Sequence, residues 1–325
     1  MPQQLFVFIQ LEFPRALGPA DGRYLLRRDG DGEPQSVVVL GTLDAAGRQL
    51  RDDAAGALGG GSLLRRLRAG SRTVAPEPEP APVSTTRATV IDPVWLPAES
   101  QARAWLAELD AEREVGAAVA RLNRVIHSHR VAAADPYVHD ASPLQAVAIR
   151  AGWGEGEQVA DGRWLHARAL TWTGGPARRR SEGVRGRRVG RDRSWALRPQ
   201  ERLAALLAGR THTLLCEEIV LRAREDLDQE RPEQAALELD RAYAVGLEEL
   251  RGEQRQDLAI RLAELEQLQP GVQQLAAATV ARAAGRAARG AERDQDEPLD
   301  EELLVHALER LEAMLRARTA AGVEA

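Results

Sequence analysis

The chain has 325 residues and a formal charge of −5, from 44 basic and 49 acidic side chains. Every cation is arginine, and lysine is absent; this excludes Schiff-base and pyridoxal-phosphate lysines, a P-loop lysine and a kinase-type phosphate lysine. One cysteine, Cys216, excludes an intrachain disulfide, a multi-cysteine zinc centre and a self-contained iron–sulfur site. No cofactor is expected. The scarcity of residues with AT-rich codons is the mark of a GC-rich genome, bacterial in type. The length suggests about two domains.

Residues 5–13 alternate Leu5, Val7, Ile9, Leu11 and Phe13 against Phe6, Phe8, Gln10 and Glu12. That pattern predicts a strand with one end buried on both faces. No basic region precedes it, and no apolar stretch reaches the roughly 18–20 residues of a membrane span, so a cytoplasmic location is expected. Strands are also expected over 24–28 and 36–43, around the turn-rich Asp29-Gly30-Asp31-Gly32-Glu33-Pro34. Residues 44–86 contain Gly59-Gly60-Gly61 and the run APEPEPAP, and read as a Gly/Pro-rich disordered insertion.

A strand over 87–92 and a long amphipathic helix over 98–131 follow, then a strand over 146–152 and a helix over 155–170. Residues 1–43 and 87–171 together predict an α+β domain, split by the insertion. Residues 172–196 form an arginine-rich linker. Beyond it, residues 197–325 predict an all-α domain, a bundle or a short helical repeat, with helices over 199–208, 213–229, 232–250, 255–268, 271–289 and 299–318.

Candidate chemistry is sparse. Gly152-Trp153-Gly154-Glu155-Gly156 falls between a predicted strand and helix, where a phosphate would rest, but Glu155 and Glu157 would repel one. A tight turn is the better reading. His127, His129 and His139, near Asp135 and Asp140, are the densest group of potential metal ligands and leave open a metal-dependent enzyme. Favourable interaction of the histidines with a helix C-terminus is the simpler expectation. The H-E-x-x-H and G-x-S-x-G signatures are absent. Cys216 sits in an apolar helical setting beside two carboxylates, which predicts an inert, packed thiol.

The strongest local signal is Arg178, Arg179, Arg180, Arg185, Arg187, Arg188, Arg191 and Arg193, opposed only by Glu182 and Asp192 and flanked by Trp172 and Trp195. Such a tract binds phosphates without reading sequence, and tryptophan stacks on unpaired bases. RNA or DNA is therefore one candidate partner. The tract could equally lie against the acidic helical domain.

In the helical part, Ala223, Ala235, Leu239 and Ala242 recur at the small-large-small spacing of a helical hairpin. The pattern resembles a tetratricopeptide unit, with Asp226 at the usual first-helix aromatic and Leu247 in place of the closing proline. The resemblance covers roughly 35 residues. The last helix carries Leu304, Leu308, Leu311 and Leu315, a narrow seam able to dock on the bundle or on another chain. These features predict a non-enzymatic interaction or adaptor protein, with another protein or a second copy bound through the C-terminal helices.

Overall fold

The structure is a computed structural model and describes residues 4–28, 32–43, 85–172, 199–289 and 299–321. An antiparallel sheet with flanking helix is followed by an all-helical part, the α+β then all-α order that the sequence predicts. Two compact units divide the chain. One comprises Met1–Leu26, Pro34–Asn123 and Ala141–Ala177; the other comprises Arg27–Glu33, Arg124–Asp140 and Arg178–Ala325. Most of the expected 44–86 insertion lies outside the described residues. Among those residues no helix is long and apolar enough to cross a membrane.

The first unit is built on six strands: β1 (Leu5–Phe13), β2 (Gly22–Leu26), β3 (Ser36–Leu43), β4 (Thr85–Ile91), β5 (Ala148–Glu155) and β6 (His166–Ala169). Their order across the sheet is β2-β3-β4-β1-β5-β6, with every pairing antiparallel. β1 is central, and this explains why its apolar content runs so high. Helix α1 (Glu99–Ala107) packs against β1 and β5 and buries Ala102 and Leu106. The face of Phe6, Phe8, Gln10 and Glu12 is buried along nearly its whole length, further than the sequence predicts. At its polar end Gln10 donates to Thr89 Oγ1 at 2.9 Å while its own Oε1 is buried without a hydrogen-bond partner, and Glu12 accepts from Arg150 at 2.8 Å.

Three sequence expectations are corrected in this unit. The long helix is two helices, α1 and α2 (Ala111–Ala133), and from Arg124 onward α2 belongs to the second unit. Asp110 starts the second by accepting from the amide of Arg113 at 3.2 Å, an N-terminal cap that the apolar stripe conceals. The expected helix over 155–170 is a 3₁₀ turn (Gly156–Val159) followed by β6. The chain turns there at Gly156 and Gly162, with φ of 58° and 80°, a left-handed backbone suited to glycine.

Gly152 and Gly154 accordingly lie inside β5 and not in a tight turn. A Cβ at Gly152 would sit 2.3 Å from the carbonyl oxygen of His166, and one at Gly154 would sit 2.7 Å from Val159. Both glycines let the returning loop lie close on the sheet, where Val159 packs with Phe8 and Ile91 and the Trp164 ring lies 5.7 Å from that of Phe8, tilted by 34°. Close approach accounts for Gly152 and Gly154, and the left-handed turn accounts for Gly156.

The second unit contains α3 (Pro199–Leu207), α4 (Leu215–Asp228), α5 (Pro232–Gly252), α6 (Ala259–Arg289) and α7 (Glu301–Ala321). The segment predicted as two helices, 255–268 and 271–289, is the single helix α6, which runs through Pro270. Leu265, Val272 and Leu275 on either side of the proline enter one core. Their burial outweighs the lost backbone hydrogen bond. Gly271 is a close-approach residue, since a Cβ there would stand 3.0 Å from Leu303 of α7. Tyr243 is fully buried in this core and donates its hydroxyl to the carbonyl of Ala307 at 2.9 Å.

Candidate functional site

The helical unit is assembled around the start of α4. Its orphan amides need acceptors, and α5 supplies them: the Glu249 carboxylate accepts from Leu215 at 2.9 Å and Cys216 at 3.1 Å. Glu217 turns back to accept from the amide of Leu214 at 3.0 Å. The positions of the helical-hairpin pattern lie in the core, with Ala223 on α4 and Ala235, Leu239 and Ala242 on α5 all fully buried. The three alanines let the two helices approach closely.

Two ion-pair groups lie within this unit. Arg224 on α4 grips Glu312 on α7 through Nε and Nη2, both at 2.8 Å. Glu217 accepts from Arg202 of α3 at 2.5 Å and faces Arg318 of α7 at 3.6 Å; Arg318 in turn meets Glu253 at 2.6 Å. Arg202 also donates to the carbonyl of Val131 at 3.0 Å, near the end of α2. Burial pushes the Glu312 carboxyl above its usual range, and the Arg224 guanidinium opposes that shift. Between these groups is a cleft of about 50 Å³, lined by Arg202, Glu217, Val220, Leu221, Glu312 and Leu315 among others.

The leucines Leu304, Leu308, Leu311 and Leu315 are buried, the most exposed of them at 8%. They pack in the core of their own unit. The seam docks on its own bundle and presents no surface to a second chain in this fold. Exposed apolar side chains of this unit lie elsewhere, Leu215, Ile260 and Val280 among them. Along the second half of α6, Ala277, Val280, Ala281 and Ala284 are all exposed at i, i+3, i+4, i+7 spacing. Sequence periodicity missed this face because that half of the helix is apolar on several sides.

The candidate metal ligands are not drawn together. His127 and His129 lie two residues apart within α2, where neighbouring side chains point in different directions. His139 is exposed and faces Glu225 at 3.6 Å. Burial lowers the pKa of His129, partly offset by Asp135. Among the described residues no three His, Cys, Asp or Glu side chains could hold a metal ion. Cys216 is fully buried. Burial first, then Glu249 and Glu217, push its thiol pKa up and out of the reactive range.

Trp172 is half-buried at the end of the described part of the first unit, while Arg178–Arg193 and Trp195 lie outside the described residues. Compared with family models, curated proteins and solved structures, the chain matches none of them.

Proposed function

We propose that the chain is a cytoplasmic, non-enzymatic interaction or adaptor protein whose helical unit binds another protein. The observation that carries this reading is the exposed face of α6. Ala277, Val280, Ala281 and Ala284 form an apolar stripe on a helix whose opposite side, with Leu265, Val272 and Leu275, already belongs to the core. An apolar helix face left open on a packed unit is a natural surface for a partner helix. Affinity capture from a lysate of the native host tests the reading. It predicts a protein recovered in stoichiometric amount; recovery of none would count against it.

A second reading rests on the arginine tract. Eight arginines within residues 178–193 against two acids favour binding of RNA or DNA without sequence preference. It predicts affinity that falls steeply with salt and is abolished when four of those arginines are replaced by glutamine.

A further inference from the structure

α7 covers only part of the length of α6. Glu264 of α6 pairs with Arg310 of α7 at 3.2 Å, and a Cβ at Gly271 would stand 3.0 Å from Leu303. The two helices therefore run antiparallel. With equal rise along both, Glu301, the first residue of α7, lies opposite about residue 273. α6 continues to Arg289, so its last stretch of roughly 16 residues, about 24 Å, extends past the start of α7.

The line of α6 that meets α7 continues into that stretch. Glu264, Gly271, Ala278 and Gly285 follow at steps of seven, which keeps them on one side of the helix. At Gly271 the missing side chain makes room for Leu303. Ala278 and Gly285 keep the line small where no residue of α7 lies opposite; Ala278 is exposed and Gly285 half-buried. Leu275 and Thr279, on the core side of the same turns, are buried. The α6–α7 packing surface is thus continuous with an open one of the same character.

The sequence limits what covers it. Residues 290–298, which join the two helices, have Ala291 and Pro298 as their only apolar side chains and present no apolar face. Residues 271–289 carry Arg282, Arg286 and Arg289 and no acidic residue. Two copies paired antiparallel through this stretch would set arginines against arginines, whereas a helix with carboxylates beside its apolar stripe is complementary.

We infer that an amphipathic helix of a partner protein, apolar on one stripe and acidic on its flanks, docks along Ala278, Ala281 and Gly285 as a continuation of α7. This rests on the reading that the helical unit binds a protein, and it names the kind of partner. The seat adjoins the exposed stripe at Ala281, while Val280, about two and a half turns on from Gly271, lies on the opposite side of α6.

The test is fluorescence anisotropy of the full chain with two labelled helical peptides of 18 residues. Both carry leucine at alternating three- and four-residue spacing, one with glutamate flanks and one with lysine flanks. Saturable micromolar binding of the glutamate peptide is expected. Ala278→Gln, which lengthens an exposed side chain on the line, should weaken it at least tenfold with the helical circular dichroism unchanged, and Val280→Gln should not. No saturable binding of the glutamate peptide, unchanged binding by folded Ala278→Gln, or equally strong binding of the lysine peptide that Ala278→Gln also weakens, overturns the inference. A wild-type dimer in sedimentation velocity that Ala278→Gln dissolves would seat a second copy there and overturn it too. Loss of partner capture by Val280→Glu without any peptide binding would remove this inference and leave the protein-binding reading standing.

Discussion

Arg224 and Glu312, 88 residues apart in sequence, form a two-pronged ion pair with both bonds at 2.8 Å, and both residues are more than nine-tenths buried. A pair of this kind is costly to break singly, because removing one partner leaves an unpaired charge away from water. Arg224→Ala or Glu312→Ala should cost about 3–5 kcal/mol in urea denaturation. Replacing both with apolar residues of similar volume (Arg224→Met with Glu312→Leu) should recover most of that loss. A double variant no more stable than either single one would show that the apolar pair cannot fill the space.

Glu233 at the start of α5 pairs with Arg286 of α6 at 2.6 Å. The hydrogen bond from Arg286 holds the Glu233 carboxyl below its ordinary value. A depressed acid stabilises the fold above its unfolded pKa, near 4.5, and that contribution is lost as pH falls through the lower folded value. The side chains are 28% and 48% exposed, so solvent screening holds the contribution to about 1 kcal/mol or less. Glu233→Gln should therefore cost up to that amount at pH 7, with the difference from wild type vanishing near pH 3. A difference that grew on acidification would contradict the pairing.

Cys216 should resist alkylation by iodoacetamide at pH 8 in the folded chain and react fully in urea, since burial and two carboxylates suppress its thiolate. Rapid native labelling, measured by mass shift, would mean that the core around α4 opens readily.

The two glycines Gly152 and Gly41 make a matched comparison. A Cβ at Gly152 meets the backbone of His166 and Ala167, whereas one at Gly41 meets nothing within 4 Å. Gly152→Ala should lose about 1–3 kcal/mol through overpacking, and Gly41→Ala should be nearly neutral. Equal effects in thermal melts would show that the loop after β5 does not press on the sheet.

Much of the fold was legible wherever a local rule and the packing agreed. β1 and β3 show in their alternation, and α4, α5 and α7 show in their apolar stripes and in the breaks between them. The misreadings arose where packing overruled the local rule. Pro270 and Gly271 read as a helix stop, yet Leu265, Val272 and Leu275 keep the helix continuous, and Gly271 serves the approach of Leu303. Gly152 and Gly154 read as a turn because sequence cannot show which backbone passes over a strand. The cleft was invisible for a similar reason. Arg202, Glu217 and Glu312 come from three separate helices, and no spacing along the chain announces their meeting.

Affinity capture comparing wild type with Val280→Glu tests whether the proposed partner binds through the open face of α6. Val280 is 58% exposed, so the substitution should leave the melting temperature essentially unchanged while reducing recovery of the stoichiometric partner at least tenfold. Equal recovery by the folded variant, or no stoichiometric partner with wild type, would contradict the account.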